Sequence, residues 1–254
     1  MSKEPQNPKS DAHNPKPMNI KTKAIVISSL KYQEKSLIVK CFTETDGLKS
    51  YFVHNAFSGK NNKQKVAYFQ PLNILEIEAV HKNKGTLENF KEVKLSTAYQ
   101  TINTDIFKST IIIFLSEVLH HSIHEEEKNE DLFHFLETAL LWLDHHSEIS
   151  NFHLILLIET TKFLGFYPDS SDDDLKFFEM TEGIFTPFQS LSCLSEHETH
   201  LFKKLLGLKF DSDQKIFAGI ERSILLKIIL DYYAFHLDGF RRPKSLEVLK
   251  EVFS

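Results

Sequence analysis

Between Lys23 and Leu95 apolar and polar residues alternate in short runs separated by turn-forming residues, the period of half-buried strands. The pattern predicts five strands, Lys23–Ser29, Ser36–Thr43, Gly47–His54, Leu72–Val80 and Leu87–Leu95. Asp46-Gly47 supplies a tight turn, and His81-Lys82-Asn83-Lys84-Gly85 a polar loop with glycine where a positive φ is expected. The longest connection, residues 55–71, falls between the third and fourth strands, where a five-stranded OB barrel carries its extra helix or loop. After Thr104 the period becomes helical, with Asp105 as N-cap of a segment that holds Ile106, Ile113, Phe114, Glu117 and His121 and runs to about His124. Further helices are predicted at Leu132–Asp144, Asn151–Leu164, Ser195–Leu206, Glu221–Leu237 and Ser245–Val252, and Gly165 and Pro168 stop the third of these six. A short hairpin is expected from Leu175–Met180 and Gly183–Thr186.

The expected fold class is therefore α+β in two domains. A five-stranded OB barrel spans 18–100, and an all-helical domain spans 101–254 with a hairpin inserted at 169–190. The first 17 residues hold four Pro and no apolar block, and read as a disordered, dispensable tail. A chain of 254 residues with 22 Phe and 41% apolar residues has ample material for packed interiors. No apolar run approaches the length of a membrane span. Cys41 and Cys193 form no metal-ligand or disulfide spacing, which suits a reducing cytoplasm.

The net charge of −5 conceals two halves of opposite sign. Residues 18–100 carry 13 lysines against 7 carboxylates, whereas 101–254 carry 14 cations against 26 carboxylates. A polyanion responds to the local field rather than the average, so the first half suits a nucleic-acid-binding module. The stretch Gly47–Leu75 has no acid at all and interleaves Lys49, Lys60, Lys63, Lys65 and His54 with Tyr51, Phe52, Phe57, Tyr68 and Phe69. Ammonium groups along phosphates and ring faces under bases are how single strands are held. Tyr51 and Phe52 are neighbours on one strand, so one points into the core and the other is available to a base. Lys35 in the first loop and Lys82 and Lys84 in the last stand where OB barrels grip oligonucleotides. Near the C-terminus Arg241, Arg242 and Lys244 form a second cationic cluster suited to phosphate.

Other chemistry finds little support. His120 and His124 are spaced i, i+4 beside Glu117 and His121, but a solvated helix end accounts for the same letters, and no metal site is expected. With eight Gly in the chain and no phosphate-cradling or nucleophile-elbow motif, no catalytic residue and no cofactor are expected. Asp172 to Asp174 leave a metal-dependent phosphoesterase as a remote alternative, and a protein-interaction module without DNA binding as a nearer one.

Several segments, in order, resemble the RecO recombination mediators, particularly their Bacteroidetes-like members. These are Lys23-Ala24-Ile25-Val26-Ile27-Ser28 running into Tyr32-Gln33-Glu34-Lys35-Ser36-Leu37-Ile38-Val39, then Phe42-Thr43-Glu44 with Asp46-Gly47, then Phe163-Leu164-Gly165-Phe166-Tyr167-Pro168, and the late Arg241-Arg242-Pro243-Lys244-Ser245. The resemblance implies a non-enzymatic, nucleoid-associated cytoplasmic protein that binds single- and double-stranded DNA and anneals complementary strands. It also implies association with RecR and with the C-terminal tail of single-strand-binding protein, so that RecA is loaded. Many relatives carry a four-cysteine zinc ribbon after the Leu-Gly-Tyr-x-Pro element; residues 169–189 here contain no Cys. A hairpin closed by packing, without zinc, is expected in its place.

Overall fold

The computed structural model describes residues 17–57, 66–82, 87–124, 128–212 and 216–253. Five strands, β1 (Met18–Tyr32), β2 (Ser36–Thr43), β3 (Gly47–Val53), β4 (Ile74–His81) and β5 (Asn89–Leu95), form an antiparallel sheet in the order β3-β2-β1-β4-β5. A parallel bridge between Tyr51 and Glu88 closes it, with Phe52 N–H donating to Glu88 O at 2.9 Å and Glu88 N–H to Ser50 O at 2.8 Å. This is the OB barrel expected from the strand pattern. The first strand is longer than its alternation suggests, because its N-terminal half pairs with β4 and its C-terminal half with β2, and a bulge between Val26 and Ser28 bends it from one partner to the other.

Ala24 to Ile27 are buried without interruption. Alternation explains this, since Ala24 and Val26 enter the barrel interior beside Val39, Cys41, Tyr51, Phe69, Leu75 and Ile77. Ile25 and Ile27, on the opposite face, join Phe42, Leu48 and Ile74 in a second core shared with the helices. One outer side of the barrel is thus an internal surface of the protein.

The helices are α1 (Ile106–Ser122), α2 (Glu130–His145), α3 (Phe152–Leu164), α4 (Glu196–Leu206), α5 (Gly219–His236) and α6 (Leu246–Phe253). Asp105 caps α1 as predicted, accepting the N–H of Phe107 and of Lys108. Its buried stripe is Ile111, Phe114, Leu115, Val118 and Leu119; Ile106 and Ile113, which the period alone groups with them, are exposed. Helix α3 is buried on nearly every side and ends on Gly165 with φ +84°, a left-handed cap that glycine adopts without a Cβ penalty. Phe166, one residue on, is fixed by three contacts with α5. Tyr232 Oη donates to its carbonyl at 2.9 Å, His236 stacks on its ring at 5.3 Å, and Tyr233 meets it edge-on.

The predicted hairpin is β6 (Phe177–Glu179) and β7 (Ile184–Thr186), turned at Gly183 with φ +70°. Phe178, Met180 and Phe185 bury into the helical core. Leu194 N–H donates to Phe178 O at 2.9 Å and Met180 N–H to Ser192 O at 3.1 Å, which ties the hairpin to the segment leading into α4. Hydrophobic packing and main-chain hydrogen bonds hold this insertion. Desalted protein assayed for metal is expected to contain no stoichiometric zinc, and a full equivalent of tightly held zinc would overturn that expectation.

Candidate nucleic-acid interface

Strand alternation divides the sequence-predicted residues between two faces. On β3, Tyr51 turns inward and is fully buried, its ring stacked on Phe90 at 4.1 Å and its hydroxyl 2.7 Å from His81 Nε2. Burial pushes its phenol well above the usual range. Of the two neighbouring rings Tyr51 is therefore the core residue, and it leaves the set of candidate DNA contacts. Lys49 shares its parity and pairs in register with Cys41, so it too leaves the strand on the barrel side. Phe69, taken with the surface aromatics from sequence, is buried in the same interior.

Phe52 faces outward. Its ring meets Tyr32 edge-on at 5.7 Å and His54 at 4.4 Å, although Tyr32 and Phe52 are distant in sequence. The β1-β2-β3 register brings them together, setting Leu30, Ile38 and Phe52 side by side on one outer face. Tyr32 is 43% exposed and His54 is exposed, so ring faces and edges remain open here. Sequence reasoning missed Tyr32 as a site residue, because only the register shows where it lies.

Cations border this aromatic face. Lys35, in the turn between β1 and β2, is exposed; Lys31 lies 5.5 Å from the Phe57 ring, and the Phe57 N–H donates to Lys35 O. One β-repeat from Ile38, Lys40 emerges on the same outer face opposite Ser28 and Ser50. Among the described residues neither Lys35 nor Lys40 forms an ion pair with a carboxylate, whereas three other barrel lysines do. Lys21 pairs with Glu78, Lys94 with Glu92, and Lys23 with Glu137 of α2. The neutralised pairs thus lie on β4, β5 and the N-terminal half of β1, and Lys35 and Lys40 stand without a described carboxylate beside the open rings at the other end of the β1-β2-β3 face. Lys82 is half-buried after β4, its main-chain N–H held by the Glu88 carboxylate at 2.8 and 3.0 Å. Lys60, Lys63, Lys65 and Lys84 lie outside the described residues.

The C-terminal cluster divides as well. Arg242 is engaged by Asp231 of α5, which Lys227 also approaches at 3.4 Å, so the three cations of the expected cluster differ in their surroundings. Arg241 and Lys244 are exposed. Ser245 donates from N–H and Oγ to Glu117 at 2.9 and 3.0 Å, which pins the 240–245 segment against α1. This committed Glu117 lies beside His120 and His121, whose rings are 5.1 Å apart. Among the described residues no three His, Cys, Asp or Glu gather to hold a metal, and Asp172 to Asp174 sit in an exposed turn.

Fold and face together define an OB-barrel protein whose barrel is fused along one side to a helical body, leaving open the end of the β1-β2-β3 outer face that carries Leu30, Ile38 and Phe52. Two family models match the chain, Recombination protein O N terminal over residues 18–99 and Recombination protein O C terminal over residues 103–247. Curated relatives named DNA repair protein RecO cover nearly all of it. The protein of Flavobacterium johnsoniae is 71% identical over 237 residues, 93% of this chain and 100% of the relative. That of Flavobacterium psychrophilum is 71% identical over 238 residues with the same shares, and one from Bacteroides fragilis is 37% identical over 240 residues, 92% of this chain and 98% of its own. The chain belongs to the RecO family of DNA repair proteins.

Proposed function

We propose that this protein serves DNA repair and recombination as a non-enzymatic mediator that binds DNA without reading its sequence. In this reading single strands cross the outer face of β1-β2-β3, with bases on Phe52 and Tyr32 and phosphates on Lys35 and Lys40, while Arg241 and Lys244 extend the cationic path. The observation that carries it is the juxtaposition of open aromatic rings with lysines that no described carboxylate neutralises. Binding to duplex DNA, annealing of complementary strands, and cooperation with RecR, the tail of single-strand-binding protein and RecA follow from family membership as further parts of the same proposal.

Anisotropy of a labelled single-stranded oligonucleotide, titrated at two salt concentrations, tests the physical core. Each neutralised phosphate contributes about 0.7 log units of affinity per log unit of salt, so contacts from Lys35, Lys40 and Arg241 give a slope of roughly 2. Replacing Lys35→Gln should lower the slope by about 0.7, and a flat salt response of the native protein would remove the electrostatic premise. Incubating the same strand with Mg²⁺ or Mn²⁺ should leave its length unchanged; shortening would restore the phosphoesterase alternative. Leu30, 66% exposed on the same face, favours a second reading in which a partner protein docks there. Absence of oligonucleotide binding even at low salt would select it.

A further inference from the structure

We infer that the seam where β2 meets the C-terminal end of α1 is a second phosphate subsite, in which Lys40, His120, His121 and Arg241 grip a nucleic-acid backbone with net uptake of protons. The inference rests on the DNA-binding reading above and adds a place and a protonation step to it.

The barrel and the helix meet here, Phe42 of β2 lining one cavity together with Ser122, Ile123 and His124 at the end of α1. Lys40 leaves β2 on the same outer face as Ile38 and Phe52, one repeat further along, a step of about 7 Å. That is close to the spacing between successive phosphates of an extended single strand, so a strand with its base on Phe52 brings its next phosphate to Lys40. In the other direction the face passes under the helical body at Phe42, which packs against Phe133 of α2. Lys40 therefore stands at the edge of that contact, half-buried and without a described ion-pair partner. His120 and His121 approach from the last turn of α1, and Arg241 from the segment that Glu117 and Ser245 fasten to that helix.

Electrostatics make this group a phosphate site rather than a helix end decorated with histidines. Burial, then the charges of Lys40, His121 and His124, hold the His120 imidazole below its ordinary value; for His121 burial comes first and Arg241 next. The carboxylate opposing these effects at both rings is Glu117, already accepting two hydrogen bonds from Ser245. The acidic residues at 125–127 that follow His124 lie outside the described residues. His120 Nδ1 is buried with no described hydrogen-bond partner. In the free protein both imidazoles are thus biased neutral at neutral pH, and protonating either puts another cation beside Lys40 or Arg241. A docked phosphodiester reverses the balance, since its negative charge favours the imidazolium forms. Neutral histidines let Lys40 and Arg241 coexist in the empty seam, and a phosphate recruits protons onto them as it arrives.

The test measures oligonucleotide affinity of the full chain at about pH 6 and about pH 8, at one ionic strength, for the native protein and the His120→Gln/His121→Gln double variant. Native protein should bind on the order of tenfold tighter at the lower pH, equivalent to an average uptake of roughly half a proton over roughly two pH units. The double variant should lose most of the gain between about pH 8 and about pH 6, so that its two affinities nearly coincide whatever their absolute level. Lys40→Gln and Arg241→Gln should each weaken binding at both pH values. In parallel, the histidine C2 proton resonances missing from the double variant should titrate at higher pH in native protein once oligonucleotide is added, a shift that a purely structural role would not produce. A double variant that folds with a native melting curve yet retains the full pH dependence overturns the subsite and leaves the barrel reading standing. Native protein that binds no oligonucleotide at either pH overturns the DNA-binding reading itself.

Discussion

Replacing Asp144 by alanine is expected to lower the unfolding free energy by about 3–5 kcal/mol, the range for removing one partner from a buried, hydrogen-bonded charge. Asp144, at the end of α2, is 1% exposed, and its carboxylate accepts the N–H of Gln100, Thr101 and Ile102 at 2.8, 2.8 and 3.0 Å. These three residues link the barrel to the helices. The buried Lys108 ammonium completes the arrangement, donating to Thr101 Oγ1 at 2.6 Å and to Asp144 O at 3.0 Å. Deleting the carboxylate strands three main-chain amides at this junction. Burial alone would raise the acid's pKa, but the three main-chain donors and the Thr101 hydroxyl outweigh it, and the native value is depressed. A depressed native value stabilises above the unfolded value of about 3.9 and is lost as pH falls through the native value. Urea denaturation should therefore show a gap between native protein and Asp144→Ala that is full at neutral pH and narrows below about pH 4. A gap of the same size in acid would show that the carboxylate charge contributes nothing.

Two adjacent residues of β3 should respond in opposite ways to alanine. Tyr51→Ala empties the centre of the barrel, where the ring stacks on Phe90 and its hydroxyl meets His81, and should cost about 3–5 kcal/mol of stability. Tyr51→Phe retains the ring but leaves His81 Nε2 without its partner, for about 1–3 kcal/mol, and should bind oligonucleotide like the native protein. Phe52→Ala removes a half-buried outward ring, with a stability cost of about 1 kcal/mol. Its effect should appear in binding instead, since losing one stacked base costs about 1–3 kcal/mol, tenfold in affinity for each 1.4 kcal/mol. Adding Tyr32→Ala should weaken binding further. If Phe52→Ala with Tyr32→Ala leaves affinity unchanged while the protein stays folded, bases do not stack on this face.

What the sequence determined by itself was local. Period-two alternation and turn residues located five strands, Ser36–Thr43 to the residue, and Asp105, Gly165 and Gly183 marked where elements begin and end. These signals are legible because backbone geometry and capping depend on neighbours within a few positions. Alternation also established that Tyr51 and Phe52 part to opposite faces, but not which one faces the core, since a slip of one residue exchanges them. The tertiary structure decided that question, and with it every pairing between residues far apart in the chain. It joined Tyr32 to Phe52 through the β1-β2-β3 register, gave Arg242 to Asp231 while leaving Arg241 exposed beside His121, and used Asp144 as the receptor for the interdomain link. The charge asymmetry between the two halves of the chain was visible in the letters. The lysines left uncompensated were not, because a charge is neutralised by whatever the fold brings within a few ångströms, and composition carries no distances.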